Sequence, residues 1–70
     1  MNIEKSTDIY FNIRIQNEPD GKECYESISI AREDISRIMV KALKENGFKV
    51  ALTKFIHKKS DRYVWKHLKV

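Results

Sequence analysis

The chain has few residues with which to bend or brace itself: one proline, two glycines and one cysteine among 70 residues. A lone cysteine excludes a disulfide within the chain. It suits a reducing compartment, with Cys24 read as a small apolar side chain inside the fold. So little glycine and proline argues against a linker or a disordered tail, and 41% hydrophobic residues are enough to fold. No run approaches the ~18 apolar residues of a membrane span. The polar start, Met1 to Asp8, has no signal-peptide core, so a cytoplasmic location is expected.

The chemistry of sites is equally thin. Gly21 and Gly47 stand alone, so no glycine-rich loop can cradle a phosphate. His57 and His67 are ten residues apart and far from Cys24, which is not zinc-ligand spacing. By strand parity Cys24 and the two histidines point to opposite faces, which argues against a Cys–His nucleophile. Glu33 and Asp34 are the one carboxylate pair, and they read as helix-terminus charges. No catalytic residue, metal or cofactor is expected, and a small-molecule substrate has little room in a chain of this size.

What is present is patterning. Residues 8–16 alternate, with Ile9, Phe11, Ile13 and Ile15 on one side and Tyr10, Asn12, Arg14 and Gln16 on the other, the period of a half-buried strand. Glu18-Pro19-Asp20-Gly21 is a turn. The return strand, about 22–29, is less apolar and reads as an edge, with Cys24, Glu26, Ile28 and Ile30 on one parity and Tyr25, Ser27 and Ser29 on the other.

A helix follows over 31–46. Ser29 is its expected cap, and Ala31, Ile35, Ile38, Met39, Ala42 and Leu43 form its apolar stripe. Arg32, Glu33, Ser36, Arg37, Lys41, Lys44 and Glu45 fall on the other side, with Glu33–Arg37 and Lys41–Glu45 as ion pairs one turn apart. Asn46-Gly47-Phe48 is the stop. A third strand over 48–58 and a fourth over 63–69 complete the pattern, joined by the polar segment 58–62.

The fold class is therefore α+β: a ββαββ chain forming a four-stranded antiparallel sheet with one amphipathic helix on one face. Residues 1–7 are expected to be a flexible N-terminus and 8–70 a single domain. Spatial orders 2-1-3-4 and 1-2-4-3 both keep every neighbour antiparallel.

One helix can cover one face. The stripe should pack on Ile9, Phe11, Ile13, Ile15, Ile28, Phe48, Val50, Leu52, Ile56, Val64 and Leu68. The second face is left with Tyr10, Arg14, Tyr25, Phe55, His57, Tyr63, Trp65 and His67. If the last hairpin pairs Phe55 with Trp65, it also pairs His57 with Tyr63 and Thr53 with His67. Lys58, Lys59 and Arg62 would rim this face. Five of the seven aromatic residues thus lie on the uncovered side, and an apolar patch of that kind marks an interface.

The net charge of +4 is unevenly spread. Residues 1–30 carry three basic against six acidic residues, and residues 31–70 carry eleven against four. Such asymmetry attracts polyanions. Three readings follow. The face contacts a protein partner or a second copy, through residue types enriched in binding hot spots. It binds nucleic acid by stacking and phosphate contacts. Or the N-terminal arm, with Met1 and Ile3, folds over it. The glycine-and-aromatic strand motif of single-stranded-RNA modules is missing, and one helix cannot form a helix-turn-helix. Ile, Lys and Asn richness fits an AT-rich bacterial or phage genome, and short basic single-domain chains are common products of mobile elements, so an accessory or inhibitory factor of a phage or mobile element is one expectation. The expected binding residues are Phe55, Trp65, Tyr63, Tyr10, Arg14, His57, His67, Lys58, Lys59 and Arg62.

Overall fold

Strands form where alternation is cleanest. In the computed structural model, which describes residues 7–58 and 63–70, β1 spans Thr7–Asn17 and β2 spans Glu23–Ile30. The helix α1 spans Glu33–Glu45, β3 Lys49–Lys58 and β4 Tyr63–Leu68. The first strand begins at Thr7. The segment 1–6 lies outside the described residues, and so does any cover it offers the sheet.

The sheet is antiparallel in the order β2-β1-β3-β4. This settles the choice between the two orders, and it follows from burial. The first strand has the most regular apolar face, so it occupies the centre, flanked on both sides. The weaker β2 is an edge.

The first hairpin closes through a three-residue loop. Gly21 N–H donates to the Glu18 carbonyl at 2.8 Å, and Glu18 N–H donates to the Lys22 carbonyl at 2.8 Å. Asp20 Oδ1 accepts from Lys22 N–H at 2.9 Å. Gly21 adopts φ +90°, the left-handed position that follows a type I turn in such loops.

The helix begins later than its sequence implies. Its N-cap is Arg32, which makes no side-chain cap bond. Ser29 is not the cap: it belongs to β2, where its hydroxyl accepts from Asn12 Nδ2 at 3.4 Å. The alternation of Cys24, Glu26, Ile28 and Ile30 runs one residue past Ser29 and keeps it extended. Asp34 accepts from Arg32 Nε at 3.0 Å, and that bond, ahead of all other influences, holds its carboxyl below the usual range. Glu33 accepts from Arg37 Nε at 2.9 Å. The expected Lys41–Glu45 pair does not form among the described residues.

The helix stop is as expected. Phe48 N–H donates to the Leu43 carbonyl and Gly47 N–H to the Lys44 carbonyl, each at 3.0 Å, with Gly47 at φ +92°. These are the two bonds of a Schellman motif.

The stripe is where expectation and structure part. Ser36 (0% exposed) and Val40 (2%) face the sheet, beside Met39 and Leu43, while Ala31, Ile35, Ile38 and Ala42 are exposed. The apolar arc of this helix is wider than one contact line, so periodicity alone left its rotation undetermined. Burying Ser36 is cheap because its hydroxyl donates to the Glu33 carbonyl at 2.8 Å. Its small size also lets the helix approach the sheet closely.

The core is Phe11, Ile13, Val40 and Leu52, surrounded by Ile30, Met39, Leu43, Val50 and Leu68. A helix of 13 residues reaches ~20 Å, against ~36 Å for the 11 residues of β1. It starts just after Ile30, which pairs with Phe11, and its stop abuts Pro19 at the hairpin tip. The row Ile9–Ile56–Val64 lies beyond its reach, with Ile9 and Val64 exposed.

Candidate protein-contact face

The face opposite the helix is ordered in rows, because all three strand pairings keep like parity together. Tyr10 pairs with Phe55 and Phe55 with Trp65, giving a row of three aromatic residues across β1, β3 and β4. The expected pairings of the last hairpin are observed: Phe55 with Trp65, Thr53 with His67 and His57 with Tyr63. The rings of Tyr10 and Phe55 stack with centroids 5.3 Å apart and planes at 13°. Trp65 and His67 meet edge to face at 5.0 Å. A cross-strand ring pair such as Tyr10–Phe55 stabilises a sheet by ~0.2–1 kcal/mol.

The next row is polar: Ser29, Asn12, Thr53 and His67. Asn12 Nδ2 donates to Ser27 Oγ at 2.8 Å, and Thr53 Oγ1 lies 3.2 Å from His67 Nδ1. Below it Arg14 stands between Ser27 and Ala51. These neighbours are too short to cover it, so its guanidinium rises from a trough. Three concavities converge on Arg14. One, of about 250 Å³, runs to Phe55, Trp65 and His67. Another, of about 300 Å³, reaches Tyr25 and Lys49, and a third, of about 420 Å³, reaches Tyr25 and Glu26. Arg14 has no carboxylate partner among the described residues.

Of the expected binding residues, Tyr10, Arg14, Phe55, His57, Trp65 and His67 share this face. Tyr63 and Lys58 are placed by backbone register alone, opposite His57 and Thr7. Lys59 and Arg62 lie outside the described residues, and with them most of the expected basic rim. Tyr25, at 82% exposed, belongs with the site and was left out of the expected set. Its parity with Ser27 was the available signal. Ala51 was also missed, because its role is to be short beside Arg14, which is visible once the register is known.

Lys54 and Lys66 pair with each other in the row of Phe11, on the helix side of the sheet. No group of three His, Cys, Asp or Glu among the described residues is placed to hold a metal. Cys24 is half-buried, and burial, then the charges of Glu18 and Glu26, push its thiol up, away from the nucleophilic thiolate. No helix among the described residues is long and apolar enough to cross a membrane.

No known protein family, no curated protein and no solved structure matches this chain. The arrangement itself is the guide: a strip of rings, a strip of hydroxyl and amide groups, and an unpaired guanidinium on one open sheet face.

Proposed function

We propose that this chain is a small non-enzymatic binding protein that acts through the sheet face opposite the helix, by contact with another protein. Accessory or inhibitory action in a phage or mobile element is the setting its composition fits. The observation that carries the reading is Trp65. It is 57% exposed at the end of the Tyr10–Phe55–Trp65 row, beside a trough that holds unpaired Arg14. Tryptophan, tyrosine and arginine dominate binding hot spots, because each offers a large rigid contact area with a polar tip.

Nucleic acid, single-stranded or held by its backbone, is the second reading. The stacked rings favour it, since bases stack on such platforms. The cation distribution weighs against it, because Lys54 and Lys66 sit on the far side of the sheet.

Trp65→Ala is expected to weaken retention of the partner more than tenfold, in line with the loss of an interface anchor, without changing the far-ultraviolet dichroism. The measurement is affinity capture followed by titration of the captured protein, beside oligonucleotide titrations at low and high salt. Salt-dependent oligonucleotide binding that Trp65→Ala removes would replace the first reading by the second. Retention unchanged in both Trp65→Ala and Arg14→Ala would remove the open face from the function.

A further inference from the structure

The helix carries a second apolar line that the core does not use. Ile35, Ile38 and Ala42 follow one another within the helix at spacings of three and four, and Ala31 lies ahead of the extended N-cap Arg32. All four are exposed, Ile38 at 67%. This is the spacing of a helix–helix seam. On a wheel of 100° per residue the line lies well over 90° from Ser36 and Val40, so it points away from the sheet.

The two isoleucines exchange places about the midpoint between them. An antiparallel second copy therefore sets Ile35 against Ile38 and Ile38 against Ile35, with each Ala42 toward the start of the other copy's helix. That is the self-complementarity a two-fold interface needs. The charges agree. Asp34 and Lys41 flank the same edge of the line, and the antiparallel alignment brings Asp34 of each copy to Lys41 of the other, twice over. Asp34 Oδ1 already accepts from Arg32 Nε and Ile35 N–H and its Oδ2 from Arg32 Nη2, which leaves one lone pair of Oδ2 for the lysine of the second copy.

We infer that a second copy of this chain docks on the Ile35–Ile38–Ala42 line, forming a two-fold dimer with antiparallel helices back to back and the two sheets outside. A seam of one short helix is small, so the dimer is weak and depends on concentration. It leaves both aromatic faces outward, one on each side. A partner with repeated epitopes would then be gripped bivalently, with the gain in avidity that linkage brings. The seam shares no residue with the aromatic face, so it stands or falls apart from the proposed function.

Sedimentation velocity over about a hundredfold range of concentration, with circular dichroism to monitor folding, is the test. Wild type should pass from monomer to dimer. Ile38→Glu should raise the dimer Kd about tenfold or more while leaving the fold intact, since Ile38 is outside the core. Asp34→Lys and Lys41→Asp should each weaken the dimer by setting like charges together, and their equimolar mixture should dimerise again as a heterodimer. Trp65→Ala should dimerise as wild type does. A wild type that stays monomeric overturns the inference. So does a dimer indifferent to Ile38→Glu, one lost in Trp65→Ala, or one lost instead in Ser27→Pro, which would place the contact on the open edge of β2.

Discussion

Ile13→Ala is expected to cost about 3–4 kcal/mol, the range for deleting a fully buried aliphatic side chain whose surroundings cannot collapse. Ile13 is 0% exposed at the middle of the central strand, paired with Ile28 on one side and Leu52 on the other, beneath Val40 of the helix. Domains of this size have about 5 kcal/mol of total stability to lose, at the low end of the usual range. Most of it would go with this one change. The urea midpoint should fall by more than half with little change in slope, and the thermal midpoint by roughly 12–32 °C. Ile9→Ala is the control. Ile9 lies on the same strand and face but is 44% exposed, and its loss should cost under ~1 kcal/mol. Equal costs at the two positions would mean that the helix is not seated over Ile13.

Gly47→Val is expected to cost about 3 kcal/mol or more, from two causes that add. The residue sits at φ +92°, where a left-handed conformation costs an ordinary L-residue ~1–2 kcal/mol and a β-branched one more. A Cβ at this position would also stand 3.1 Å from Cβ of Pro19. Pro19 belongs to the turn between β1 and β2, which cannot move without disturbing the register of both strands. Gly47→Ala should cost less, because it adds the conformational penalty and the single contact without further branches. The measurement is chemical denaturation of both variants beside wild type. If Gly47→Val were as stable as wild type, the helix stop and the hairpin tip could not be in contact.

Much of the fold was legible because each strand carries a period of two and the register follows from it. Ile9, Phe11, Ile13 and Ile15 define an inward face that a slip of one residue would reverse. Placing Phe55 opposite Trp65 then fixes the whole second hairpin. The helix stop was legible because Asn46, Gly47 and Phe48 each have a local conformational role. The rotation of the helix was not legible. Seven apolar residues, Val40 among them, spread over more than half its circumference, and Ser36 reads as surface until its hydroxyl is seen to bond within its own helix. The cap was misread for a related reason: Ser29 has a hydroxyl that could serve a helix, and Asn12 across the strand uses it first. The aromatic face was legible in membership. Its trough was not, because Ser27, Arg14 and Ala51 come from three separate strands.

The short helix has a further consequence for the aromatic row. Tyr10 lies between Ile9 and Phe11, Phe55 between Lys54 and Ile56, and Trp65 between Val64 and Lys66. The rings therefore stand on the back of the stretch beyond the start of the helix, where the Ile9–Ile56–Val64 row loses its cover. Backbone amides there are held by their ladder bonds with little apolar backing, so in hydrogen exchange this end opens well before the Ile13–Leu52 zone. The proposed contact face is thus mounted on the softest part of an otherwise braced sheet. A partner seated on the rings would have to stiffen that part, and some of its contact energy is offset by the lost freedom. Affinity then depends on how firmly the far side is backed as well as on the rings themselves.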